Sequence, residues 1–199
     1  MKLNLDKVTL VSIGSKRIEE TLKAIEICLS VAKFHDVYFF SDTVNPYQIE
    51  CEQMNSIREY DHFVVHKLPQ YINSEYCLTI HWDGFIVNPD AWTNDFFDYD
   101  YIGAPWPWMN YICGNGGFCL KSKKFLETQQ CIIPPELKIN RPDDVMLCVD
   151  YRSQFEYNNC KYAPRNISQK FSTEYGGYLN YKSFGFHDFR PNPMFKNMI

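Results

Sequence analysis

Residues 7–40 read KVTLVSIGSKRIEETLKAIEICLSVAKFHDVYFF, and this stretch decides the fold. Lys7 to Ile13 is a short β-branched run closed by Gly14-Ser15, which predicts a buried strand followed by a turn. From Ile18 to Ala32, apolar residues recur at Ile18, Leu22, Ile25, Leu29 and Ala32, with Glu19, Glu20, Lys23 and Glu26 on the other side. That spacing predicts an amphipathic helix, with Ser15 as its N-cap and two glutamates in its first turn. Asp36 to Phe40 reads as a second strand, ending at Ser41-Asp42. Strand, helix, strand is a βαβ unit, which implies a parallel sheet with a right-handed crossover.

Ligands of open α/β sheets collect at the carboxyl ends of the strands. Ser12, Ser15 and Asp42 stand at those ends and are candidate contacts for a nucleotide base or ribose. Turn and cap roles without a ligand fit the same residues. Outward from the unit, Val44 to Tyr60 has polar helical character. His62 to Lys67 (HFVVHK) is predicted to be a third strand.

Next comes Leu78-Thr79-Ile80-His81-Trp82-Asp83-Gly84-Phe85-Ile86-Val87-Asn88-Pro89, two apolar runs separated by an imidazole, an indole, a carboxylate and a glycine. A lone buried carboxylate is costly unless something neutralises it. Asp83 is therefore expected at a strand end, on the lip of a cleft, facing a cation or a hydrogen-bond donor.

Composition narrows the function classes. The chain has 199 residues, 45% of them apolar and 17% aromatic, which suits one compact domain with a ring-rich core. Its formal net charge of −4 and the lack of a basic block argue against broad binding to a phosphate backbone. The eight cysteines show no zinc-type spacing, and several, such as Cys28 and Cys148, lie inside apolar runs. Reduced, buried thiols in a cytoplasmic protein are expected. Met1 to Asp6 has no signal-peptide character, and no run approaches the roughly 20 apolar residues of a membrane span.

The second half carries more motifs. A helical turn or two is expected within Ala91 to Asp100. Tyr101-Ile102-Gly103-Ala104-Pro105-Trp106-Pro107-Trp108 begins as a strand and becomes a rigid aromatic loop, its backbone fixed by two prolines around Trp106. Such a Trp pair suits the apolar faces of sugars or bases; plugs in the core are the alternative. Cys113-Gly114-Asn115-Gly116-Gly117-Phe118 is a glycine-rich turn before a strand, allowing close approach of backbone to a ligand. It has neither the Walker A nor the dinucleotide spacing. Asp143 and Asp144 open a helix predicted over Val145 to Phe155, where the dipole favours negative charge. One of them is explained by capping, and a second beside it suits a general base. Phe171-Ser172-Thr173-Glu174 reads as a short extended segment, and Ser183 to Phe189 places His187 among aromatics.

Together, Trp82-Asp83-Gly84-Phe85, Tyr101 to Trp106, Gly114 to Phe118, Asp143-Asp144-Val145 and Phe184-Gly185-Phe186-His187 resemble a family of small bacterial and viral proteins, long labelled as a domain of unknown function and related to GT-A-type glycosyltransferases. The resemblance runs from about Val8 to His187. It implies an α/β, GT-A-like (Rossmann-like) fold, a mostly parallel central sheet flanked by helices in a single domain over residues 1–199. Residues 1–88 would form a nucleotide-sugar-binding half and 89–199 an acceptor and catalytic half.

The resemblance further implies a divalent metal, Mn²⁺ or Mg²⁺, on the diphosphate of a nucleotide-sugar donor, expected to be a UDP-sugar. The usual Asp-x-Asp motif is replaced here by His81-Trp82-Asp83. Asp83 is carried over as a metal ligand, with His81 in the place of the first acid and His187 as the late histidine that completes such sites. Trp82, Asn115, Gly116 and Gly117 would lie against the donor, and Asp144 or Asp143 would be the base of an inverting transfer to an acceptor hydroxyl. Imidazole in the ligand set tilts the choice toward Mn²⁺. The acceptor would be a glycan or another hydroxyl-bearing molecule, with nucleic acid entering only as a modified base. The incomplete acidic motif keeps a second reading open, a non-catalytic carbohydrate- or nucleotide-binding protein on a degenerate fold. A metal-dependent phosphoesterase or nucleotidyltransferase is a third.

Overall fold

The computed structural model describes residues 2–110, 112–174, 182–190 and 193–199. Six strands form the central sheet. They are β1 (Val8–Ile13), β2 (Val37–Ser41), β3 (Gln48–Glu50), β4 (Tyr76–Ile80), β5 (Tyr101–Ile102) and β6 (Phe118–Ser122). Their order is β3-β2-β1-β4-β6-β5. The first four run parallel, and β6 lies antiparallel between β4 and β5.

Every residue of β1 is buried, as expected for a parallel strand covered on both faces. Val8 and Leu10 pack with Ala24, Ile25 and Cys28 of helix α1 (Ile18–Val31). Val11 and Ile13 face the other way, into a second cluster with Tyr60, Phe63 and Val64. The βαβ unit is thus present, but α1 starts differently from expectation. Arg17 is its N-cap, in the left-handed region at φ 54°, with no side-chain cap. Ser15 instead accepts a hydrogen bond from the Met54 amide at 2.8 Å, tying the β1 loop to the next segment.

The stretch from His62 to Lys67 is helical, not a strand. Ser56 and Glu59 form a reciprocal capping box that starts helix α2 (Ile57–His62). The chain continues through a wider π-turn over Phe63–Lys67 and a 3₁₀ turn over Leu68–Tyr71. Val64 and Val65 are buried in the π-turn, where β-branched residues serve packing against the sheet as well as they would serve a strand. The extra parallel strand is β3, inside the region read as polar helix.

The helix predicted over Val145 to Phe155 is two pieces. A single turn, Asp143–Val145, runs into a π-turn over Met146–Asp150, and a new helix begins after Tyr151 at Arg152–Tyr157. Helix α3 (Lys123–Ile132) follows β6 directly, capped by Ser122, which accepts from Phe125 N. Two 3₁₀ turns, Pro89–Ala91 and Asn94–Asp98, supply the expected helical turns. A dense set of rings (Trp92, Phe96, Phe118, Phe171 and Phe184) packs beside β6. All eight cysteines are free thiols, and burial pushes Cys28 and Cys77 up to about 12. No helix among the described residues is long and apolar enough to cross a membrane.

Candidate active site

Strand register brings the site residues together. Phe118 on β6 pairs with Ile80 on β4. The residues just beyond, Gly117 and His81, therefore meet, with His81 N donating to Gly117 O at 2.9 Å. Near the carboxyl terminus, Ser172–Thr173 pairs in parallel with Gly185–Phe186. That pairing places the next residues of each segment, Glu174 and His187, side by side. The Asp188 amide donates to Asp83 O at 3.0 Å and docks this tail on the turn after β4.

His81, Asp83 and His187 converge, each offering one ligand atom within 4.8 Å of the others. His187 Nε2 lies 3.5 Å from Asp83 Oδ1, and its Nδ1 lies 3.0 Å from Glu174 Oε1. Burial works against a charged His187, but the close carboxylates of Asp83 and Glu174, the latter also hydrogen-bonded to it, outweigh burial and raise the group to about 10. Asp83 is likewise opposed by burial and held below its ordinary value by His187. His81 behaves oppositely. Burial, and then the positive charge of His187, lower it to about 3, so it is neutral. Its Nε2 sits 2.6 Å from the Tyr60 hydroxyl. When Nε2–H donates to that oxygen, Nδ1 keeps its lone pair, the usual arrangement for a ligating imidazole.

These residues fit a divalent ion. At 3.5 Å the His187 contact is an ion pair too long for a hydrogen bond, and Asp83 Oδ1 is buried without a hydrogen-bond partner among the described residues. A mixed nitrogen and oxygen donor set suits Mn²⁺ better than Mg²⁺, which prefers oxygen throughout.

The glycine turn is held from within. Asn115, at φ 69°, is fully buried, and its Oδ1 accepts from Gly117 N at 2.6 Å and Phe118 N at 3.2 Å. Its side chain is thus engaged in the turn, with Nδ2 3.2 Å from His187 Nδ1. Gly117 is required for close approach, since a Cβ there would fall 2.2 Å from His187 Nε2.

The paired acids divide. Asp144 Oδ2 accepts from Gly116 N at 3.2 Å, and its Oδ1 from Val145 N at 2.8 Å. Burial, and then the charge of Glu174, raise it, while His187 opposes the rise. It therefore belongs electrostatically to the Glu174–His187 side. Asp143 lies beneath, 5% exposed, with its amide donating to Asp61 Oδ1 at 3.1 Å. Burial and then the charge of Asp144 raise it to about 7. Its Oδ2 and the fully buried Lys121 Nζ both lack hydrogen-bond partners among the described residues.

Next to His81 opens a cleft of about 230 Å³, lined in part by Ser12, Ser15, Met54, Tyr60 and Trp82. Ser12 is buried there and donates to Ile80 O at 2.9 Å. The Arg17 guanidinium lies 4.0 Å over the Trp82 ring. Asp42 is exposed at the end of β2 and does not line the cleft. Glu174, Tyr60 and Lys121 were missed in the sequence. Glu174 carries only the faint signal of an acid after an extended run, and the other two carry none.

The family model described as "Protein of unknown function (DUF5672)" matches residues 43–187. The chain belongs to this family. No curated protein matches it. Among solved structures, it is similar to "a glycosyltransferase involved in the glycosylation of the major capsid of PBCV-1", with a TM-score of 0.59 and 14% identity, covering 96% of this chain and 98% of that one. It is also similar to the glycosyltransferase GlyE of Streptococcus pneumoniae TIGR4, with a TM-score of 0.48 and 13% identity over 90% of this chain. The match spans 53% of the GlyE chain, about half its length. The first likeness establishes a glycosyltransferase-like fold.

Proposed function

We propose that this protein is a metal-dependent, GT-A-type glycosyltransferase that moves a sugar from a nucleotide-sugar, a UDP-sugar by preference, to an acceptor hydroxyl with inversion. One observation carries the reading. His81, Asp83 and His187 form a compact donor set at the carboxyl end of a parallel strand, between the strand-end cleft and a raised carboxylate, Asp144. Residues 1–88 form the donor half and 89–199 the acceptor half, with the turn after β4 between them.

His81, Asp83 and His187 would hold the ion. When bound, it neutralises the charge that develops on the leaving diphosphate. The remaining chemistry belongs to the chain. Ser12, Ser15 and Trp82 line the space for the nucleoside. Gly116 and Gly117, with no side chains, let the donor sugar approach the turn. Asp144 is the general base. Its raised affinity for a proton brings it closer to the pKa at which a base works best near neutral pH. Asp143, buried under Gly116, positions the helix start and takes no proton from the acceptor.

A nucleotide-sugar screen with Mn²⁺, following release of the nucleoside diphosphate, tests this. Release with at least one donor, lost in Asp83→Asn and His187→Ala, is the expected result. No release with any donor would sink it. A second reading, a binding protein without catalysis, draws on the existing pairing of His187 with both Asp83 and Glu174. Nucleotide binding without release would favour that one.

A further inference from the structure

We propose that Trp108 is the platform on which the acceptor lies, and that the acceptor is a carbohydrate. This rests on the transferase reading for the word acceptor, but the binding surface stands on its own geometry. Trp108 is 57% exposed, while Trp106 beneath it is 4% exposed. Their rings stack with centroids 6.0 Å apart and planes 24° from parallel. Trp106 is a core residue, while the outer ring leaves more than half of its surface open to a flat ligand.

The backbone on either side of the platform is constrained. Pro105–Trp106 pairs with Ile112–Cys113, Pro107 fixes the next backbone angle, and Asn110 turns the chain at φ 53°. A flat aromatic surface held still in advance loses little freedom on binding. The platform is also continuous with the site. Trp106 Nε1–H donates to Glu174 Oε2 at 3.0 Å, and Glu174 Oε1 lies 3.0 Å from His187 Nδ1.

The chemistry selects the ligand class. A pyranose ring offers an apolar C–H face and a rim of hydroxyl donors. The exposed indole matches the apolar face, and its stack on Trp106, which donates to Glu174, ties it to the site. A nucleobase also stacks on indole, but a nucleic acid needs basic groups along its phosphate chain, and this chain has a net charge of −4 and no basic block, so a glycan is the better fit.

The test is retention of the full chain on a glycan array, with UDP and Mn²⁺ present, for the wild type, Trp108→Ala and Trp108→Phe. A single-stranded oligonucleotide panel runs in parallel, and calorimetry with UDP and Mn²⁺ is done on each variant. The wild type is expected to be retained on a class of glycans. Trp108→Ala should weaken this by about tenfold, and Trp108→Phe should restore most of it. UDP binding should stay the same in all three, because Trp108 does not line the strand-end cleft. The proposal is overturned if no glycan retains the wild type, if Trp108→Ala is retained equally, or if oligonucleotides are retained instead. Trp108-dependent glycan retention with no UDP binding upholds the carbohydrate platform and sinks the transferase reading.

Discussion

Two walls face each other across His81. On one side, Ser12, Ser15, Met54 and Trp82 enclose a cleft made by the ends of parallel strands and the approach to α2. Its polar groups are tied to backbone, as Ser12 is to Ile80 O and Ser15 to Met54 N. On the other side, Asn115, Asp144, Glu174 and His187 come from segments with little regular structure. They are held by one another: Glu174 to His187, and Asp144 to the Gly116 amide, while Asn115 braces the turn through Gly117 N and Phe118 N. The first wall is a scaffold with neutral hydrogen bonds. The second is a mesh of buried charges, where removing one partner strands another. Substitutions should therefore be tolerated on the first wall and punished on the second.

The largest expected effect separates the two acids. Asp144→Asn should lower kcat by roughly 10²–10⁴, the range for loss of a positioned base, while Asp143→Asn should lower it by less than about tenfold. Steady-state kinetics on the best donor checks this; equal losses would show that both acids act as one unit. Gly117→Ala comes next. Its Cβ would displace the His187 ring, so Mn²⁺ affinity should drop by roughly 10–100-fold. Overpacking should cost about 1–3 kcal/mol in thermal unfolding.

A pH series sharpens the contrast further. His187 is raised in the folded chain to about 10 from its ordinary 6.5. The stability that its pairing supplies is fully present below 6.5 and is lost as pH rises through about 10, so Tm should decline across that window. An ion must displace that proton, so Mn²⁺ affinity should rise about tenfold per pH unit until the group is neutral. Glu174→Gln removes one partner, flattens the Tm decline and moves the end of the affinity rise to lower pH. The smallest effect belongs to the scaffold wall. Ser15→Ala removes one hydrogen bond to Met54 N, worth about 1 kcal/mol, and should lower Tm only slightly.

The same contrast governs what could be read in the chain. The strand ends that frame the first wall are set locally. The alternation of Val8, Leu10 and Ser12 against Thr9, Val11 and Ile13, followed by a helical stripe, places strand ends and their polar residues directly. Asp83 was legible as a costly carboxylate between apolar runs. The second wall depends on contacts remote in sequence. Glu174 matters because Thr173 pairs with Phe186, and no residue near Glu174 announces that. Tyr60 lies in a stretch read as helical, but its contact with His81 joins residues far apart in sequence and depends on tertiary packing. Lys121 likewise carries no local signal, yet it is fully buried, its ammonium 5.9 Å from the Tyr101 ring centroid.

Calorimetry of UDP with the wild type and Asp83→Asn, each with Mn²⁺ and with EDTA, tests the central claim most directly. The account predicts binding by the wild type with Mn²⁺, weakened by EDTA and by Asp83→Asn alike. Binding that is equally strong in EDTA, or unchanged in Asp83→Asn, would contradict a metal held by His81, Asp83 and His187.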